Sequence, residues 1–267
     1  MAIQNGNFGF TGRLGNLSGY RMRGLDGTVL RSRGGARKRQ IKTLAVFEPT
    51  RRLNSEWKAV TKAGAEIRHG LEALRTLADY NISGPLNALV KKIQSADTLN
   101  PQGKRSILFS RYPAFLSSFS YNRQTLFDSV IRQSPAVNID PSSAIAEITL
   151  PALQPAVNFF PHPLYAYYRV VLDLVAVSDH AFNEITGNYN ATRSLLPNFI
   201  PVYTEWSPAK SRQPEASYRI SPMDLPFKTG PGMILLLGIG IQYGMPEADG
   251  SIQPAPHAGA ARILKGA

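Results

Sequence analysis

Asp173, Asp179, His180 and Glu184 lie within twelve residues and are the first candidates for chemistry in this sequence. Carboxylates beside an imidazole can hold a metal ion or move a proton, provided the side chains converge in one pocket. The ordinary alternative is a solvated strand end, because acidic residues and histidines also gather at turns. The other histidines, His69, His162 and His257, stand apart. None lies at i, i+4 or in an H-E-x-x-H setting, and no cysteine exists to complete a zinc set. A serine-hydrolase elbow is absent: Gly15-Asn16-Leu17-Ser18-Gly19 places its serine one position late. Gly238-x-Gly240-x-x-x-Gly244 is one residue too long for a dinucleotide fingerprint, and its glycines suit a strand under close packing. The expectation is a chain that is not an enzyme and uses no cofactor or metal.

A second kind of chemistry is electrostatic. Arg21, Arg23, Arg31, Arg33, Arg37, Lys38 and Arg39 place seven cations in nineteen residues, with Tyr20 alongside. Residues 1–70 hold 14 Lys/Arg against 4 Asp/Glu, so they carry most of the net charge of +12. The remainder is nearly neutral. This asymmetry points to a polyanion or to an acidic surface on another subunit. Arg31, Arg33, Arg37, Lys38 and Arg39 are the polyanion-binding candidates. Tyr20 is placed to stack on a base, and Arg21 and Arg23 would share one face of a strand. Gly15, Gly19, Tyr20, Arg21, Arg23 and Gly24 are the candidate assembly contacts, because glycines let backbones approach closely.

The elements that must position these residues predict an α+β chain with four segments. Residues 1–35 read as a basic, glycine-rich β-ribbon arm, a two-stranded hairpin of 17–23 and 28–31 turning at Asp26-Gly27. Residues 36–100 read as a short helical layer. ARKRQIKTLAVF gives a basic turn or two, and Pro49 interrupts or kinks the pattern. Leu53, Trp57 and Val60 then recur at helical spacing, with Asn54 or Ser55 as the cap, and Ile67, Leu71, Leu74 and Leu77 continue the apolar face. Ser83-Gly84-Pro85 opens a further helix bearing Leu86, Leu89, Val90 and Ile93.

Residues 101–244 switch to period two and read as an antiparallel β-sandwich. Its strands are 106–110, 145–150, 165–177, 218–220 and 233–243, separated by proline-rich turns. Residues 245–267 read as a C-terminal arm. The start has no basic or apolar leader, and the longest apolar run, MILLLGIGI, is too short to span a bilayer. The expectation is a chain without a membrane span, made in the cytoplasm without a signal peptide and released, if at all, within a particle.

Gly12-Arg13-Leu14-Gly15-Asn16-Leu17-Ser18-Gly19-Tyr20-Arg21 resembles the opening of a family of uncharacterised bacterial proteins. Those begin with a G-K/R-x-G-N-x-x-G-Y-R-like motif, followed by a basic stretch, a helix and a β domain. Gly84-Pro85-Leu86-Asn87-Ala88-Leu89 and Leu108-Phe109-Ser110-Arg111 stand where that family has its helix and first strand. The chain departs in having Arg13 for the usual Lys and Tyr112 where a glycine is common. The resemblance implies a domain plan and no activity.

A lone hairpin is marginal in water, so the arm must lie on something. The expected function is a non-enzymatic structural subunit that self-assembles through this arm into a homo-oligomeric particle, tube or filament, virion-like or at a cell surface. The partners are copies of itself, with an acidic surface or nucleic acid as the further candidates. The alternative is a nucleic-acid-binding module that uses the basic N-terminal quarter.

Overall fold

The computed structural model describes residues 2–4, 10–22, 26–32, 34–193, 196–223 and 230–267. It has two compact units, Met1–Arg51 and Arg52–Ala267, and its fold is α+β with antiparallel sheets.

In the first unit, β1 (Ala2–Gln4), β2 (Gly12–Leu14), β3 (Leu17–Tyr20) and β4 (Thr28–Ser32) form one sheet in the order β1-β4-β3-β2. The expected two-stranded ribbon is therefore the inner pair of four strands. The two added strands are three residues long, too short to show alternation. Gly15 opens the two-residue link between β2 and β3 at φ +55°, and Gly27 precedes β4 at φ +108°. Both values belong to a region glycine enters at little cost. The helix α1 (Lys38–Thr43) and a 3-10 turn at Ala45–Phe47 follow.

The division between units falls in the first turn of α2 (Glu48–Gly70). Pro49 starts this helix rather than interrupting it, because a first-turn residue needs no N–H. Asn54 and Ser55 consequently lie inside α2 and cap nothing. The buried stripe is Glu56, Ala59, Val60, Ala63, Gly64 and Ile67, whereas Leu53 and Trp57 are exposed. α3 (Glu72–Arg75), α4 (Ser83–Ser95) and α5 (Phe127–Val130) complete the helices. Pro85 sits in the first turn of α4, as its sequence predicts.

The strands of this unit are β5 (Ala136–Asp140), β6 (Ile145–Leu150), β7 (Tyr167–Ser178), β8 (His180–Asn183) and β9 (Asn188–Ala191). β10 (Val202–Tyr203), β11 (Ser207–Pro208), β12 (Ala216–Ile220), β13 (Met233–Pro246) and β14 (Ile252–Gly266) follow. The central sheet runs β10-β7-β13-β14, with β11 also on β7; β12-β6-β5 form a second sheet, and β8-β9 a hairpin. Alternation along β7 and β13 divides the core. Val171, Val177, Ile234 and Leu236 pack with Ile67, Leu74, Leu86 and Val90 of the helical side. Leu172, Leu174, Leu237 and Ile239 pack with Ile148, Leu150 and Ile220 of the second sheet.

Two expectations change here. The segment 245–267 is not an arm: β14 pairs with β13 from Leu236↔Gly266 to Pro246↔Ile252 and buries Ala260, Ala261 and Ile263. Its prolines, Pro254 and Pro256, are tolerated because β14 is an edge strand. The segment 106–110 is not a strand. Ile107 makes a single bridge to His180, and Phe109–Arg111 turns as a 3-10 helix.

Candidate assembly and polyanion-binding surface

The short strands of the N-terminal sheet place its chemistry by register. Arg13 pairs with Ser18, and Ser18 pairs with Arg31. Directly paired residues share a face, so the two arginines flank Ser18 on one side of the sheet. Tyr20, two positions along β3, belongs to the same face. The Arg31 guanidinium lies 5.9 Å from the centroid of the Tyr20 ring, within cation–π range. Arg13 and Arg31 are exposed. Arg13 was not among the sequence candidates; only the pairing of β2 with β3 brings it into this row.

The other candidates separate. Gly19 is buried, and a side chain there would run into the Phe10 carbonyl oxygen, so its role is close packing within the unit. Gly15 has open space around it, and the turn explains it. Arg21 lies beyond the end of β3, so it does not extend the strand face expected of it. Arg23, Gly24 and Arg33 lie outside the described residues.

Arg37, Lys38 and Arg39 sit exposed at the start of α1. The Arg37 N–H donates to Gln40 Oε1 at 2.7 Å. The far end is closed by Arg51, whose Nη1 donates to the carbonyls of Ile41 and Leu44, both at 2.8 Å. The first turn of α1 contains no acidic residue. Cations at the positive end of a helix are mildly unfavourable, and an anion bound there relieves them.

Almost nothing in this unit is buried. Among the described residues only Gly19, Thr28 and Val29 are, whereas Ile3, Leu14, Leu17, Met22, Leu44 and Val46 are exposed. The outer edges of β1 and β2 have no strand beside them among the described residues.

In the second unit, Asp173, Asp179, His180 and Glu184 do not form one site. Asp173 lies within β7, and burial pushes its carboxyl up to about 7, against the opposing pull of the Ala73 and Leu174 N–H groups. One of its oxygens and the hydroxyl of buried Tyr121 have no hydrogen-bond partner. Asp179 accepts from the Ser110 N–H at 2.9 Å and the Ser110 hydroxyl at 2.5 Å. His180 Nε2 is 2.9 Å from Glu66 Oε2, and Glu184 pairs with Lys104 at 2.7 Å. Each carboxylate or imidazole thus faces a different element. No group of three or more metal-ligating side chains converges among the described residues, and no described helix is long and apolar enough to cross a membrane.

Sequence reasoning missed a largely buried ionic contact. Glu56, fully buried on α2, accepts from Lys91 Nζ at 2.6 Å and from the Gly103 N–H at 2.7 Å. Lys91 also donates to Gln94 Oε1, and Gln94 Nε2 to the Arg105 carbonyl. Asp97 accepts the N–H groups of Leu99, Asn100 and Ser106. These contacts hold the irregular segment 97–106 against α2 and α4, a structural task. The chain matches no protein-family model, no curated protein and no solved structure.

Proposed function

We propose that the chain is a non-enzymatic structural subunit that assembles with copies of itself through its N-terminal unit, building a ring, tube, filament or particle. The observation that carries this reading is the unit Met1–Arg51, whose described residues show free strand edges and exposed apolar side chains but almost no core. A unit of this size needs a core, a metal or a partner to hold it. A neighbouring copy supplies the partner: strand addition satisfies edge N–H and C=O groups and covers Leu14 and Leu17. A contact between two different surfaces repeats head to tail, which gives closed rings or open filaments. We read the central and second sheets as the two layers of an antiparallel sandwich, supported by the buried cluster they share, and the N-terminal sheet as the arm.

Light scattering after nuclease treatment in high salt tests the reading. The full chain is expected at a defined multiple of its single-chain mass, and a chain lacking residues 1–35 at the mass of one folded copy. Normal assembly by the truncated chain overturns it.

A second reading, a nucleic-acid-binding module, is favoured by the row Arg13–Ser18–Arg31 beside Tyr20. Arginines at strand spacing suit a phosphate backbone, and the tyrosine suits an unpaired base.

A further inference from the structure

The second unit contains a cavity of about 410 Å³ whose lining includes both sheets: Tyr168 and Val170 from β7, Leu150 from β6, Tyr218 from β12, and Glu205 from the link between β10 and β11. Two observations define its chemistry. Tyr168 is 2% exposed, yet its hydroxyl has no hydrogen-bond partner. A buried hydroxyl without a partner is costly unless something fills the place. Burial raises its pKa, with the neighbouring Tyr218 hydroxyl acting in the same direction, so it stays protonated with its oxygen lone pairs free. The second observation is charge. Glu205 is the only charged residue among those lining the cavity, and it is exposed. An aromatic pocket with one carboxylate and one free hydroxyl oxygen suits an ammonium or guanidinium group, which donates to both and packs against the rings.

The rim adds a third requirement. β10 and β11 form the outer edge of the central sheet, and β12 the outer edge of the second; neither edge has a further strand among the described residues. Thr204 already uses its hydroxyl, which accepts the Val170 N–H, so it is not free for a ligand. An extended segment that offers backbone groups along an edge and one cation to the cavity fits both features.

We infer that the occupant is strand β2 of a second copy, with Arg13 inserted toward Glu205 and Tyr168. β2 is itself an edge strand, all three of its residues are exposed, and Arg13 lies at its centre. Charge complementarity supports the match: residues 1–51 hold ten Lys/Arg against two Asp/Glu, and the cavity holds one carboxylate and no cation. This inference rests on the proposed assembly and names the surface that receives the arm.

The test uses the full chain and reads the concentration at which assembly is half complete, by light scattering in nuclease-treated samples. Arg13→Glu and Glu205→Lys are each expected to raise that concentration at least tenfold, and the double variant to restore most of the loss. Tyr168→Phe, which keeps the ring, is expected to raise it severalfold. Assembly of both charge variants at the wild-type concentration overturns the inference and leaves the assembly reading intact, since some other surface then receives the arm. A wild-type chain that stays single at every concentration overturns both. Equal weakening by the two single variants without rescue in the double also overturns it, because the two residues then act separately.

Discussion

Leu74 Cδ1 on α3 occupies the space that a side chain on Gly238 of β13 would need. Gly240, two positions along the same face, stands in the same relation to Leu77, whose Cδ1 lies 2.5 Å from where a β-carbon would be. The glycines of the run MILLLGIGI thus form a trough that admits the turn after α2. Alanine in that trough overpacks a closed interface, which costs about 1–3 kcal/mol per site. Gly238→Ala is expected to lower the unfolding free energy read from a urea titration by that amount. Adding Leu74→Ala removes the obstacle, so the double variant is expected to lose less than the sum of the two single changes.

Asp173 sits beneath the same turn, and its burial makes stability depend on pH. Its carboxyl moves from the ordinary 3.8 up to about 7, chiefly through desolvation. A raised carboxyl favours the folded state while protonated, so this contribution is present below about pH 4 and is lost as pH rises through about 7. Three pH units correspond to on the order of 4 kcal/mol. Asp97 acts in the opposite sense at lower pH. Burial raises its carboxyl, but hydrogen bonds from Asn100, Ser106 and Leu99 outweigh this and hold it below 3.8, so its contribution is lost only in stronger acid. Between pH 4 and 8 the melting temperature of Asp173→Asn is expected to fall less than that of the wild type. Parallel curves for the two proteins contradict this account.

The legible parts of the fold were those whose local pattern agrees with their place in it. YYRVVLDLVAVS is a nearly continuous run of aromatic and aliphatic residues because both faces of β7 meet a core, and Ser83-Gly84-Pro85 starts α4 where a first-turn proline belongs. Pro49 is ambiguous in sequence, because the same residue begins one helix and breaks another, and only its place in the fold decides which. β14 was illegible for a related reason. Gly259, Ala260 and Ala261 resemble a linker, yet small residues are what β14 needs where Leu77 presses on Gly259. In the candidate surface, the basic character of residues 13–39 was plain, but the row Arg13–Ser18–Arg31 depends on strand register, which three-residue strands do not encode locally. The cluster Asp173, Asp179, His180 and Glu184 was close in sequence only. Residues 173 and 179 are separated by six positions of chain, about 20 Å if fully extended, and their side chains meet different elements.

Glu56 and Lys91 tie α2 to α4 with the carboxylate fully buried and the ammonium side chain 28% exposed. Removing the cation leaves a buried charge without compensation, a loss of about 3–5 kcal/mol. Removing the charge while keeping an oxygen for the Gly103 N–H costs less, about 1–2 kcal/mol. Thermal unfolding is therefore expected to rank Lys91→Met as more damaging than Glu56→Gln. The reverse order contradicts this account of the pair.

The basic row separates the two readings of the N-terminal unit by its response to salt. If phosphates bind across Arg13, Ser18 and Arg31, each neutralised phosphate contributes about 0.9 to the slope of log affinity against log salt on duplex DNA, and about 0.7 on a single strand. Replacing Arg13 and Arg31 with alanine is expected to reduce that slope by about 1.5–2, and replacing Arg37, Lys38 and Arg39 by up to about 3 if all three touch phosphates. Tyr20→Leu is expected to weaken single-stranded binding selectively while leaving the slope unchanged, since stacking releases no counterions. A fluorescence anisotropy titration between 25 and 200 mM salt reads all three. These concentrations and slopes are about those at which counterion release is measurable. Affinity that is absent at the lowest salt, or a slope unchanged by all five replacements, removes nucleic acid as the partner and leaves the arginines to contact protein. In that case Arg13→Glu is expected to act on assembly alone, and a polyanion added to the assembled protein should not dissociate it.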